Sequence, residues 1–115
     1  MAHVFFRIIA SAQSALDDVL SKEALGEPLR DDTPENRRLW RGISVYATEA
    51  QARRKGRASP RLGRYVARIE LPDDTPVIFE RTTASSGHYT LWGDPSVILA
   101  CITDVVPVGS RGQGR

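Results

Sequence analysis

Residues 64–71 place the tightest constraint on what this chain can fold into. Tyr65, Ala67, Ile69 and Leu71 fall on one side, and Val66, Arg68 and Glu70 on the other. A period of two specifies a half-buried strand, because successive side chains of a strand point to opposite faces. Such a strand must pair and must be covered on its apolar side. Pro72-Asp73-Asp74-Thr75-Pro76 reads as a turn and Val77–Glu80 as a second strand. Together they predict an antiparallel hairpin with a longer loop.

The remaining segments supply the other elements. Val4–Ile9 (Val-Phe-Phe-Arg-Ile-Ile) is rich in β-branched and aromatic residues and predicts a first strand. Ser11 or Ser14 then caps an expected helix carrying Leu16, Val19, Leu20 and Ala24 on one face, stopped by Gly26 and Pro28. Thr33-Pro34 opens a short helix over Glu35–Arg41, closed by Gly42. Ile43–Tyr46 is a short strand. Thr48, with Gln51 completing a capping box, starts a helix running to about Lys55. Thr82–Gly93 reads as a long loop containing His88, Tyr89 and Trp92, and long aromatic loops are often functional. Asp94-Pro95 opens a short turn, Ile102–Val106 is the last strand, and Gly109–Arg115 is a frayed tail. The order predicts a small α+β domain over residues 1–108, with a mostly antiparallel sheet and two to three helices, followed by a flexible tail at 109–115.

Composition excludes several classes. With 115 residues, 41% hydrophobic and 26% charged, the chain has enough apolar residues for one core and needs no staple to fold. Its single cysteine, Cys101, lies in an apolar run and reads as a small buried hydrophobe. A lone cysteine points to a reducing compartment, and no signal-like or membrane-spanning segment is visible, so a soluble cytoplasmic protein with no membrane partner is expected. His3, His88 and Cys101 make no ligand spacing, so no metal is expected. Phosphate-loop glycine patterns and the Gly-x-Ser-x-Gly elbow are absent.

Charge is uneven. Residues 30–68 carry eleven basic side chains against four acidic ones, in a chain whose formal net charge is only +2. Such asymmetry marks an anion-binding face or simply solvated arginines.

Three places hold unusual polar residues. Arg7 sits between Phe6 and Ile8 in the first strand and needs solvent, a carboxylate or an anion. Ser44 and Tyr46 alternate with Ile43 and Val45, so a hydroxyl and an aromatic plate share one face, a pairing suited to a ribose or a base. Glu80 ends a strand beside Arg81, as an electrostatic or general-base carboxylate would, and equally as a surface ion pair would. In the 82–93 segment His88 can serve as acid/base, while Tyr89 and Trp92 line a site or pin the loop to the core.

Phe6-Arg7 in the first strand, and Ile43-Ser44-Val45-Tyr46-Ala47-Thr48 running into a helix that begins Glu-Ala-Gln-Ala, resemble the opening motifs of ADP-ribosyltransferase-like folds of the Arg–Ser–Glu type. The resemblance covers about half the chain. It implies NAD as cofactor, Arg7 on the dinucleotide phosphates or ribose, Ser44 orienting the nicotinamide site, and a later glutamate stabilising the oxocarbenium ion formed as nicotinamide leaves. The implied activity is NAD-dependent ADP-ribosyl transfer or NAD glycohydrolysis. The family's Glu/Gln-x-Glu motif is absent, which leaves Glu80 or Glu70 as substitutes; a histidine-type variant would use His3 and Tyr46. A degenerate, non-catalytic relative is the other form of this reading.

The leading expectation is thus an ADP-ribosyltransferase-like domain binding NAD or a related nucleotide in a cleft of Arg7, Ser44, Tyr46, Glu80, His88, Tyr89 and Trp92. Two alternatives stand beside it. One is a non-enzymatic protein-interaction module, such as a partner of a toxin or a defence-system component. The other is a nucleic-acid-binding module using Arg53, Arg54, Lys55, Arg57, Arg61 and Arg64, with backbone phosphates favoured over bases because only Tyr65 is interleaved.

Overall fold

The structure, a computed structural model, describes residues 2–82 and 87–109. Six strands form one fully antiparallel sheet: β1 (His3–Ile9), β2 (Ile43–Tyr46), β3 (Tyr65–Leu71), β4 (Ile78–Arg81), β5 (His88–Trp92) and β6 (Ile102–Pro107). Three helices accompany them, α1 (Pro34–Trp40), α2 (Glu49–Ala58) and α3 (Pro95–Ala100). This is the expected α+β class. The strand order is β4-β5-β2-β1-β3-β6.

That order corrects the expected hairpin. β3 and β4 do not pair, because both edges of β3 are taken, by β1 (Ile9↔Tyr65 to His3↔Leu71) and by β6 (Tyr65↔Pro107 to Ile69↔Ile102). The chain leaves β3, buries Val77 in the core, and joins the far edge of the sheet, where β4 pairs with β5 (Ile78↔Trp92 to Arg81↔Tyr89). The expected loop at 82–93 is corrected too. His88–Trp92 is a strand, with Tyr89 and Leu91 turned to one face and His88, Thr90 and Trp92 to the other. Residues 83–86 of that segment and residues 110–115 of the expected tail lie outside the described residues.

Apolar side chains cover both faces. On one, Phe5, Val45, Ile69, Leu71 and Leu91 pack with Val19 and with Ile98 of α3. On the other, Val66 and Val106 pack with Ala52 of α2, and Phe6, Ile8 and Tyr46 close around them. β3 is therefore buried on both sides at Val66 and Ala67, not half-buried throughout. Each fully buried aliphatic side chain contributes roughly 1.5–3 kcal/mol. Gly56 lets α2 approach closely, since a Cβ there would stand 3.0 Å from a Val108 methyl.

The helix expected over Leu16–Ala24 does not form. Only a 3-10 turn, Leu16–Val19, is present. The Asp18 carboxylate accepts from the backbone N–H of Ala10 (3.2 Å) and Ala15 (2.9 Å), which holds the chain in a loop, and Leu16 remains exposed. The other helix starts match expectation. Thr33 Oγ1 accepts from Asn36 N–H at 3.1 Å, and Thr48 and Gln51 make a reciprocal capping box with 3.1 Å bonds. α2 runs on to Ala58, three residues past the expected end. Cys101 is half-buried against the α3-side core.

Candidate functional site

The sheet register sorts the residues singled out in the sequence. β2 and β5 pair as Ser44↔Thr90 and Tyr46↔His88, and β5 and β4 as Glu80↔Thr90 and Ile78↔Trp92. Ile43, Val45, Tyr89 and Leu91 belong to the α3-side core. By alternation Ser44, Tyr46, Glu80, His88 and Trp92 all face the α2 side. The structure therefore brings five of the expected residues onto one surface of three adjacent strands.

Arg7 and Tyr89 are not among them. Both alternate with residues of the α2 side and so face the α3 side. Tyr89 packs against Phe5 with ring centroids 5.0 Å apart, as a core residue. Arg7 donates through Nε to the Asp18 carbonyl (2.7 Å) and through Nη1 to the Ser44 carbonyl (2.7 Å). Burial lowers its pKa to about 10, against the pull of Asp18 and Tyr46. The guanidinium is occupied by backbone oxygens, and it touches Ser44 through the main chain, not the hydroxyl.

His3 is also apart. Its ring lies 4.7 Å from Phe79, and its Nε2 is 3.7 Å from Asp73 Oδ1. Glu70 accepts from Arg68 at 3.1 Å.

At one end of the five-residue surface, His88 Nδ1 lies 2.7 Å from Thr82 Oγ1, which lies 3.0 Å from Thr90 Oγ1. The Tyr46 ring meets the imidazole edge-on at 5.5 Å. Burial lowers the His88 pKa below its ordinary value, and the positive charge of Lys55 adds to the effect. The ring is thus neutral near pH 7, with one nitrogen held by Thr82. Burial raises the Tyr46 pKa, which keeps its phenol protonated. Ser44, in the middle of the surface, is exposed.

At the other end α1 lies over Trp92. The Arg38 guanidinium stacks 4.8 Å from the Trp92 ring centroid, and Trp92 Nε1 donates to the Arg38 carbonyl at 2.9 Å. Arg38 bonds both oxygens of Glu35 at 3.0 Å and also donates to Glu80 at 2.7 Å, and these partners raise its pKa. Glu80 is therefore neutralised by a cation from α1. Pro34, Arg37, Arg38, Arg41 and Trp92 line an open groove of about 270 Å³. Arg37 pairs with Asp32 (2.6 Å) and Arg41 with Glu23 (3.3 Å).

Sequence reasoning missed Thr82, Thr90 and the arginines of this groove. The His-Tyr-Thr-Leu-Trp alternation would have placed Thr90 on the same face as His88 and Trp92. The Glu35–Arg38 spacing is that of a helical pair, but its link to Glu80, 42 residues on, carries no local signal. Among the described residues no group of three or more His, Cys, Asp or Glu side chains is placed to hold a metal ion, and no helix is long and apolar enough to cross a membrane. Compared with protein-family models, curated proteins and solved structures, the chain matches none.

Proposed function

We propose that the α2-side surface of β2, β5 and β4 binds NAD or a related nucleotide. One observation carries this reading: the rows Tyr46–His88, Ser44–Thr90–Glu80 and Trp92–Ile78 follow one another on a single face. At about 3.4 Å per strand residue, the line from His88 to Trp92 spans about 14 Å, a length suited to a nucleotide with its phosphates. The imidazole and phenol at one end offer ring faces and hydrogen bonds. The exposed Ser44 hydroxyl suits a ribose in the middle. Arg37, Arg38 and Arg41 at the other end suit phosphate, which the planar guanidinium binds in two-pronged fashion. Their present carboxylate partners are exposed, and such pairs are weak in water, so a phosphate can displace them. In this reading Arg7 is a positioning residue that fixes the Ser44 backbone from behind.

Transfer of ADP-ribose is the catalytic form of the same reading. The bond between the nicotinamide nitrogen and ribose C1′ would break with the electron pair leaving on nicotinamide. Glu80 would stabilise the cation, and water or an acceptor hydroxyl would attack C1′, losing its proton to neutral His88. Glu80 must leave Arg38 for this to occur.

Calorimetric titration with NAD and with AMP tests binding. Wild-type protein should release or absorb heat, and Ser44→Tyr, which fills the middle of the surface, should weaken binding about tenfold or more. Absence of heat with both ligands overturns the proposal. Nicotinamide release lost in Glu80→Gln supports the catalytic form, and binding without release limits the domain to recognition.

A further inference from the structure

Apart from Arg30, which lies on the loop before α1, the basic side chains of residues 30–68 divide into two chemically different groups. Arg37, Arg38, Arg41, Arg53 and Arg68 are each paired with a carboxylate. Arg54, Lys55, Arg57, Arg61 and Arg64 are all exposed, and none has an ion pair or hydrogen bond from its side chain among the described residues. They lie on consecutive elements: Arg54 and Arg57 on α2 away from its buried side, Lys55 on the flank of α2 that acts on His88, Arg61 in the 3-10 turn Pro60–Leu62, and Arg64 just before β3. No acidic residue occurs between Glu49 and Glu70, so the ridge has no internal counter-charge. The inner side of α2 is fixed to the sheet by Ala52 and Gly56 and by Arg53, which is buried, pairs with Glu49 and donates to the Val108 carbonyl.

Stability alone does not require this arrangement. Lys55 and Arg57 sit in the last turn of α2, where cations complement the helix dipole, but Arg54, Arg61 and Arg64 do not. Five like charges with no ion-pair partner among the described residues repel one another, a cost that an anionic ligand would remove.

We propose that this ridge binds the phosphate backbone of a nucleic acid without reading its bases. Four of the five cations are arginines, whose fork matches phosphate oxygens. Arg54 and Arg57 are roughly one helical turn apart, so they project in series along α2. Tyr65, the sole aromatic within the segment, is half-buried, so stacking on successive bases has no platform here. A membrane surface is the poorer fit: Leu62 is the one exposed large apolar side chain on the ridge, whereas interfacial helices insert a whole apolar face. The inference is independent of the nucleotide reading and uses none of its ligand-contacting residues.

The test is fluorescence anisotropy with labelled 20-nucleotide single strands of RNA and DNA and a 20-base-pair duplex, over a salt series. Five phosphate contacts predict a slope of log K against log salt of about −3.5 for single strands and about −4.5 for duplex. The double variant Arg57→Glu/Arg61→Glu should weaken binding at least tenfold and reduce the slope by about 2. Lys22→Glu/Arg30→Glu changes net charge equally but lies outside the ridge, and should change affinity less than threefold. Circular dichroism and a thermal midpoint verify folding; if the double variant is unfolded, Arg54→Ala and Arg64→Ala singly should each reduce the slope by about 1. Equal losses in the two double variants, no binding at low salt, or a preference for anionic phospholipid vesicles over all three oligonucleotides would overturn the inference.

Discussion

The Arg7 guanidinium donates to the carbonyl oxygen of Ser44 at 2.7 Å, joining the first strand to the strand that displays the Ser44 hydroxyl on the opposite face. Its Nε holds the Asp18 carbonyl at the same distance. β1 and β2 pair at Phe6↔Tyr46, a short ladder, so the side chain ties together a seam that the backbone serves sparsely. Arg7→Ala removes charge-assisted bonds from two carbonyls, and should destabilise the fold by about 2–3 kcal/mol in denaturant titration. Arg7→Lys, which keeps one donor group but not the fork, should recover part of that loss.

Gly42 stands where the chain turns from α1 into β2 beneath Trp92. A Cβ there would press into Thr90 Cγ2 and come within 2.9 Å of the Leu91 carbonyl oxygen and Trp92 Nε1. Gly42→Ala should therefore cost roughly 1–3 kcal/mol through overpacking against backbone and should change Trp92 fluorescence. Gly26→Ala is the comparison. That residue has φ +79° with nothing near its Cβ position, and should lose only about 1 kcal/mol to backbone strain.

His88 makes stability depend on mildly acidic pH. Its folded pKa is depressed by burial and by Lys55, while the unfolded chain takes up the proton near pH 6.5. Below that pH the unfolded state binds more protons, so stability falls as pH drops from about 6.5 through the folded value. His88→Gln should flatten the dependence of unfolding free energy on pH between about 5 and 7. An unchanged slope would mean that another group carries the effect.

Thr48 carries the start of α2, the helix that bears Arg54, Lys55 and Arg57 of the basic ridge. Thr48→Ala breaks the capping box with Gln51, and should cost about 1 kcal/mol of stability in thermal or denaturant unfolding.

Local chemistry made much of the fold readable and concealed its connectivity. Thr33-Pro34 and Thr48 with Gln51 announce helix starts because the partners lie within one turn. Leu16–Ala24 has the spacing of a helix, yet Asp18 is consumed in holding Ala10 and Ala15, a tertiary use that composition does not reveal. Val77–Glu80 follows β3 so closely that a hairpin is the simplest expectation, but β1 and β6 already occupy both edges of β3. The five residues of the candidate surface were individually visible, Ser44 and Tyr46 through alternation, Glu80 as a strand end, and His88 and Trp92 as aromatic members of an expected loop. Their meeting was not, because it depends on β5 pairing with both β2 and β4. Arg7 misled for the converse reason: its position between Phe6 and Ile8 signals an anomaly, and backbone oxygens answer it as well as a phosphate would. The paired and unpaired halves of the basic run separate only in three dimensions, since Glu23 and Glu80 reach Arg41 and Arg38 from distant parts of the chain.

The central claim is that one sheet face, and not the other, takes a nucleotide. Amide and indole chemical shifts recorded during titration with NAD test it directly. Shifts should concentrate at Ser44, Tyr46, Glu80, His88 and the Trp92 indole, with Phe5, Val19 and Ile98 on the α3 side unmoved. Shifts confined to the α3 side, or none at millimolar NAD, would contradict it.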